Sequence, residues 1–154
     1  ALIEKGDPDA ALAAFSKPVG DAPAKALLPL IDRCFSVDTV EEILARLDAE
    51  GGDWAAKQAA TIRQKSPTSL KIALRQMREG ANAPFEDCMR TEYRIVSRIP
   101  RGVDFYEGVR AVIIDKDNAP KWRPDRLEDV ADADIDAYFA PLPDELDLDA
   151  LDRP

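Results

Sequence analysis

Residues 38–52 read DTVEEILARLDAEGG, and this stretch decides the fold class. Asp38 is predicted to cap a helix, because Glu41 stands at the third helical position, where its carboxylate can bond back to the cap. Apolar residues recur at steps of three and four, which places them on one helix face: Val40, Ile43, Leu44 and Leu47. The glycines Gly51 and Gly52 predict the end of the helix. The stretch is therefore typical of a single amphipathic helix.

Residues 65–80, KSPTSLKIALRQMREG, follow the same pattern. Ser66 predicts an N-cap, and Pro67 sits at the first helical position, where a missing N–H costs nothing. Gly80 predicts the end of this helix. Its buried stripe is predicted to consist of Leu70, Ala73, Leu74 and Met77.

Residues 104–122, DFYEGVRAVIIDKDNAPKW, begin with a second predicted capping box, Asp104 with Glu107. The positions predicted to face inward are Phe105, Val109, Val112 and Ile113. Gly108 lies inside this helix at a cost of about 1 kcal/mol relative to alanine, so close packing of another helix is expected there. No alternating strand pattern persists anywhere in the sequence, and the chain is predicted to be all-α.

Charge is distributed unevenly over the 154 residues, whose net charge is −9. The residues from Pro124 onward include 11 acidic and 2 basic side chains, so the remainder carries 19 of each and is neutral. A neutral body argues against a nucleic-acid-binding protein. No apolar run approaches the roughly 18 residues of a membrane span, and the start has no signal-peptide pattern.

The sequence contains no histidine, which excludes a Ser-His-Asp triad, a Cys-His dyad and a His-ligated zinc site within this chain. The two cysteines, Cys34 and Cys88, lie in apolar helical patterns and are predicted to be reduced core residues. This pattern predicts a reducing compartment, such as a bacterial cytoplasm. The first residue, Ala1, is expected to mark a processed chain or a piece of a longer one.

Three groups of polar residues are candidate sites. Counting Asp115 as the first position of a calcium loop puts Pro120 where glycine is needed and Arg126 where glutamate is needed, so no metal site is predicted. Adjacent carboxylates, such as those of Glu86 and Asp87, point about 100° apart on a helix and do not converge. Cations share one helix face: Lys71, Arg75 and Arg78. They predict either a solvated face or a surface for phosphates or the acidic tail.

Aromatic residues leave a similar choice. Trp54 and Trp122 are predicted to be packing residues, although Trp122 lies between Lys121 and Arg123 and is also suited to flank a ligand ring or phosphates. From these residues alone, the chain is a helical domain with no catalytic constellation.

Three stretches together resemble the C-terminal part of 3-hydroxyisobutyryl-CoA hydrolases, a branch of the enoyl-CoA hydratase/isomerase (crotonase) superfamily. They are CFSVDTVEEI, KSPTSLKIALRQM and DFYEGVRAVIIDKDNAPKW, and the resemblance covers about residues 30–139. It implies a parent enzyme that hydrolyses the CoA thioester in valine catabolism. In that family a ββα spiral α/β core precedes the matching region and supplies the oxyanion hole and the acidic residues. None of those motifs occurs here, so no catalytic residue is assigned to this chain.

The resemblance implies three segments: helices from the end of the core region (1–65), a C-terminal helical lid or association region (66–140) and an acidic tail (141–154). It also implies that Lys116 and Lys121 bind CoA, because by position they match the basic exit of the last helix. The implied partners are the N-terminal core, the acyl-CoA substrate and further copies of the chain. No cofactor is implied, since CoA belongs to the substrate. Two alternatives stay open, an enoyl-CoA hydratase/isomerase and a stand-alone helical interaction module.

Overall fold

The computed structural model describes residues 8–17 and 20–148. Its α-helices are α1 (Pro8–Phe15), α2 (Leu28–Phe35), α3 (Val40–Glu50), α4 (Gly52–Arg63), α5 (Pro67–Gly80), α6 (Phe85–Arg98), α7 (Val103–Val109) and α8 (Asp132–Phe139). Short 3₁₀ turns span Pro23–Leu27, Ile99–Arg101 and Leu127–Asp129, and a π-helical turn spans Arg110–Ile114. The described residues contain no β-strand, which confirms the all-α prediction for this chain.

The chain divides after Arg33 into two compact units. In the described part of the first unit, the Ser16 hydroxyl donates to the Leu12 carbonyl at 2.8 Å, just beyond the end of α1. The second unit begins at Cys34 and contains both hydrophobic cores and the candidate site. The three predicted segments, 1–65, 66–140 and 141–154, stay predictions.

The first core of the second unit lies where α3 and α4 pack together. Its buried residues are Cys34, Val37, Ile43, Leu47, Ala55 and Ala59. Leu47 is fully buried, and Trp54 and Leu74 pack against the cluster, as expected for residues with a packing role. The alanines of α4 allow the close approach of α3, whose apolar face was predicted from its spacing.

The second core joins α5 and α6 to residues 130–139. Its buried residues are Ile72, Ile95, Val130, Ile135 and Phe139, with Ile99 and Tyr138 packed against them. Helix α5 thus contacts both cores, through Leu74 on one side and Ile72 on the other. The acidic residues of α8 therefore belong to a helix whose apolar side is buried.

Helix starts agree with the predictions at one place and differ at two. The Ser66 hydroxyl accepts a hydrogen bond from the Ser69 amide at 3.1 Å, so the predicted cap of α5 is confirmed. The predicted Asp38 cap is wrong by one residue. Thr39 has the extended backbone of a cap, and its hydroxyl accepts from the Glu42 amide at 3.1 Å.

The predicted capping box at Asp104 is also wrong. Helix α7 begins at Val103, and its N-cap is Gly102, which has no side chain to offer. The Asp104 and Glu107 carboxylates bond to residues that are distant in the sequence, as described below. A local pattern of acids is thus used for tertiary contacts.

Two predicted apolar faces are not buried as expected. On α5, Met77 is 74% exposed and Ile72 is the buried residue, because the helix is covered from two sides rather than along one stripe. After α7, Val112 and Ile113 are 55% and 63% exposed, whereas Ala111 is fully buried. The π-helical turn, in which the Asp115 amide bonds to the Arg110 carbonyl at 2.8 Å, changes the helical phase there.

Both cysteines are free thiols; Cys34 is buried in the first core and Cys88 is partly exposed. Within the described ranges, no helix is both long and apolar enough to cross a membrane.

Candidate functional site

An apolar groove of about 540 Å³ runs along α7 and the π-helical turn, beside the start of α5. Its lining includes Ile72, Val109, Val112, Ile113 and Trp122. The predicted inward-facing residues Val112 and Ile113 thus form an open wall of this groove. Apolar groups of another part of the protein could pack into such an exposed apolar groove.

Trp122 closes one end of the groove and explains the glycine within α7. A Cβ placed on Gly108 would lie 3.4 Å from Cη2 of Trp122, so the indole lies directly against the helix backbone. The indole N–H donates to the Gln64 carbonyl at 2.9 Å. The expected close packing at Gly108 therefore involves the Trp122 ring rather than another helix.

The carboxylate of Asp104 joins three parts of the chain. It accepts from the Ser66 hydroxyl at 2.6 Å and from the Arg123 amide at 2.9 Å. Ser66 is buried and at the same time caps α5. This contact ties the start of α5, helix α7 and the residues after Trp122 together.

Arg110 is the first residue of the π-helical turn, and its side chain binds the loop that follows that turn. Its guanidinium donates two bonds to Glu107 at 2.8 and 2.9 Å and one each to Asp115 and Asp117 at 2.7 Å. A fifth bond reaches the Ala119 carbonyl at 3.2 Å. These bonds occupy all five N–H groups of the guanidinium. Asp115 and Asp117, the carboxylates considered above for a calcium loop, thus accept hydrogen bonds from Arg110.

These contacts perturb the ionisation of the cluster. The Arg110 guanidinium, followed by the Lys121 backbone amide, lowers the pKa of Glu107 to about 2. Arg110, and then the Ala119 amide, also lowers the pKa of Asp117. The hydrogen bonds to Glu107, Asp117 and Asp115 raise the pKa of Arg110 above its usual range. The carboxylates of Glu107 and Asp117 are therefore charged acceptors at neutral pH.

The two lysines predicted to bind CoA lie on this same loop. Both side chains are exposed. Lys116 has a left-handed backbone with φ of 56°, as does Asn118 with φ of 52°. The Lys121 amide donates to the Glu107 carboxylate at 2.7 Å. The structure places both lysines at the surface of one loop, and their role in binding CoA stays a prediction.

The cations of α5 have internal partners. Lys71 pairs with Glu41 at 3.1 Å and also donates to the Val130 carbonyl. Arg75 pairs with Asp136 of α8 at 2.5 Å and lies 4.2 Å from the centre of the Phe139 ring. Arg78 donates to backbone carbonyls of residues 35 and 37. Arg75 thus pairs with an acidic residue of α8, whereas Lys71 and Arg78 donate to backbone carbonyls.

Sequence reasoning missed a second arginine-centred contact. Arg94 of α6 donates to both carboxylate oxygens of Glu145, at 2.7 to 3.0 Å. The same carboxylate accepts from the Leu142 amide at 2.6 Å, and these bonds lower the pKa of Glu145 to about 2. Arg98 donates to the Tyr138 and Pro141 carbonyls. The segment after α8 is therefore attached to α6, and no local spacing in the sequence indicates it.

Comparison with known proteins gives concordant results. Residues 2–139 match the family described as Enoyl-CoA hydratase/isomerase. The mitochondrial 3-hydroxyisobutyryl-CoA hydrolase of Gallus gallus is 49% identical over 112 residues, and that of Homo sapiens is 46% identical. Each alignment covers 73% of this chain and 29% of the relative, so the chain spans under a third of these proteins.

Two solved structures are similar over most of the chain. A carnitinyl-CoA dehydratase from Mycobacterium thermoresistibile superposes with a TM-score of 0.85 at 38% identity, covering 96% of this chain and 42% of that one. An enoyl-CoA hydratase from Rhodobacter sphaeroides gives 0.74 at 35% identity, covering 88% and 42%. The prediction of a bacterial cytoplasmic or other reducing location is contradicted, because the similar curated hydrolases are mitochondrial.

Proposed function

Because this chain belongs to the enoyl-CoA hydratase/isomerase family, as its motifs predicted, we propose that it is the C-terminal helical part of a 3-hydroxyisobutyryl-CoA hydrolase. The parent enzyme cleaves the thioester to the free hydroxy acid and CoA. The observation that carries this proposal is the identity of 46–49% to hydrolases of that name, well above the 35–38% identity to the two solved structures.

The chemistry of thioester hydrolysis belongs to the core outside this chain. Attack of water on the thioester carbon places negative charge on the carbonyl oxygen, and each oxyanion-hole donor contributes roughly 3–4 kcal/mol to its stabilisation. The two carboxylates with the most strongly lowered pKa values, those of Glu107 and Glu145, are bonded to Arg110 and Arg94. We assign no catalytic residue to them.

The apolar groove supports a role in association with that core. Val112, Ile113 and Ile114 are consecutive and all more than half exposed. Three such side chains in a row are unusual on a surface that meets only water. We propose that the N-terminal core of the same protein covers this wall, with further copies of the chain as additional partners.

The loop around Arg110 supports a role at the phosphate end of CoA. CoA carries a 3′-phosphate and a pyrophosphate, and flexible exposed ammonium groups suit such anions. We propose that Lys116 and Lys121 make this contact. Replacing both lysines by glutamate in the complete enzyme is expected to raise the KM for the CoA ester with little change in kcat.

The deciding experiment measures thiol release from 3-hydroxyisobutyryl-CoA by the complete polypeptide that includes this sequence. We expect hydrolysis by the complete polypeptide and none by the 154-residue chain. Turnover by the chain alone would show that the active core does not lie outside it. Absence of thiol release by a folded complete enzyme would remove the hydrolase proposal.

A second candidate function is hydration or dehydration of an acyl-CoA. It is favoured by the superposition on a carnitinyl-CoA dehydratase and an enoyl-CoA hydratase. The same preparation should be tested for water addition to an enoyl-CoA, read from the loss of absorbance of the conjugated thioester. Hydration without thiol release would select this second function. A stand-alone interaction module would show neither activity in the complete polypeptide.

A further inference from the structure

The guanidinium of Arg110 bonds to residues on both sides of it in the chain. Its five N–H groups bond to Glu107, Asp115, Asp117 and the Ala119 carbonyl. A guanidinium with every donor occupied has none left for a phosphate. Arg110 therefore acts on the loop itself rather than on a ligand.

The loop that Arg110 contacts contains two residues with an uncommon backbone conformation. Lys116 and Asn118 both adopt the left-handed region, with φ of 56° and 52°, which is uncommon for a residue other than glycine. Two backbone amides of the loop donate back to the preceding helical residues, from Asn118 to the Ala111 carbonyl at 3.0 Å and from Lys121 to the Glu107 carboxylate at 2.7 Å. The second of these depends on a carboxylate that Arg110 orients.

Arg110 also controls the electrostatics of this surface. Three carboxylates surround it, from Glu107, Asp115 and Asp117. The guanidinium offsets one of their three formal negative charges, which lessens the repulsion of an approaching phosphate. The ammonium groups of Lys116 and Lys121, which are exposed on the same loop, balance the other two.

We propose that Arg110 is a positioning residue, whose guanidinium fixes the loop of residues 115–121 so that Lys116 and Lys121 are presented to the phosphates of CoA. This inference rests on the function proposed above. It assigns to an arginine that touches no substrate a specific effect on substrate affinity.

The test uses three variants of the complete enzyme. Arg110→Lys keeps the positive charge but loses the forked geometry, so positioning predicts a KM for the CoA ester raised about five-fold or more, with kcat within about two-fold. Asp117→Asn removes a negative charge and weakens the loop, so positioning predicts a raised KM, whereas charge alone predicts a lowered one. Arg126→Lys is the matched control, because Arg126 pairs with the nearby Glu128 outside this loop, and the KM of that variant should not change.

The Kd of free CoA, measured by titration calorimetry, provides a readout apart from turnover, and circular dichroism reports folding. A raised KM and Kd in both loop variants, with unchanged kcat, supports the inference. If Lys116→Glu with Lys121→Glu raises KM but Arg110→Lys and Asp117→Asn do not, the positioning role is overturned while the lysine site stands. If the double lysine variant also leaves KM unchanged, the proposed CoA contact itself fails.

Discussion

The helix pair α3–α4 and the segment from α7 to Trp122 are held in place by different forces. Between α3 and α4, the contacts are apolar and dense, with Leu47 fully buried among Ile43, Ala55 and Ala59. In the segment from α7 to Trp122, only Ala111 is fully buried, and the shape depends on Asp104 and on the Arg110 cluster.

The α3–α4 pair is held by apolar burial, whereas the α7 segment has the exposed apolar side chains on which our proposal of docking rests. Apolar burial needs only a face of the right period, and α3 supplies it. The α7 segment leaves Val112 and Ile113 exposed while its backbone is fixed by charged groups. A surface that is apolar and yet held in one conformation is suited to docking, because little order is lost on association.

The largest expected effect is in the apolar region. Leu47→Ala removes a fully buried side chain and leaves a cavity, so the free energy of unfolding should fall by about 3 kcal/mol. Chemical denaturation followed by circular dichroism measures it. Leu12→Ala is the matched control, since Leu12 is 64% exposed and its loss should change stability by less than about 0.5 kcal/mol. Equal effects at the two sites would contradict the burial described here.

A smaller effect is expected where the α7 segment meets an aromatic ring. Gly108→Leu drives its side chain into the Trp122 indole, which should cost about 2 kcal/mol by overpacking and expel the ring. Tryptophan fluorescence should shift to the red as Trp122 becomes solvated. Gly108→Ala is the control, because its Cβ would only just contact the ring at 3.4 Å and the alanine favours the helix. A fluorescence spectrum unchanged by leucine would refute the packing.

The same contrast explains how far the sequence could be read. The helices α3 and α5 follow from local patterns, and Ser66 was identified as a cap because capping involves residues only three apart. Asp104 and Glu107 are also three residues apart, as a capping pair would be. Their carboxylates nevertheless bond to Arg123, Lys121 and Arg110. Spacing alone cannot distinguish a carboxylate that caps its own helix from one that binds a distant amide.

Within the loop of residues 115–121, the sequence predicts a binding role only for the two exposed lysines. The resemblance placed Lys116 and Lys121 on the loop, but it gave no role to Arg110 between the acids on either side of it. Arg94 and Glu145 are 51 residues apart, and their pairing depends on how α6 and α8 pack. Such contacts follow from the tertiary fold, so periodicity could not reveal them.

A local effect without a global one is expected in the segment just after α8. Glu145→Gln weakens the bonds to Arg94 and to the Leu142 amide, so the segment after α8 should open more often while the two cores persist. Hydrogen exchange at the Leu142 amide should accelerate, with the midpoint of global unfolding little changed. Glu128→Gln is the matched control, because its partner Arg126 is two residues away. Unaltered exchange at Leu142 would show that the clamp does not hold the segment.

The smallest expected effect is a dependence of stability on pH in the acid range. It compares the apolar region directly with the regions held by arginine contacts. Glu107 and Glu145 have folded pKa values of about 2, below the ordinary value of 4.5, because arginine bonds favour the charged form. Between pH 4.5 and pH 2 these two carboxylates therefore bind more protons in the unfolded chain than in the folded one. Their contribution to the free energy of unfolding is fully present above pH 4.5 and is lost as the pH falls toward 2. Replacing both glutamates by glutamine should flatten this decline, whereas Leu47→Ala should lower the whole curve without changing its slope. Unfolding midpoints measured from pH 6 to pH 2 test this. A slope that survives the double substitution would mean that other carboxylates, such as Asp117, carry the acid sensitivity and that the two arginine clusters contribute little to stability.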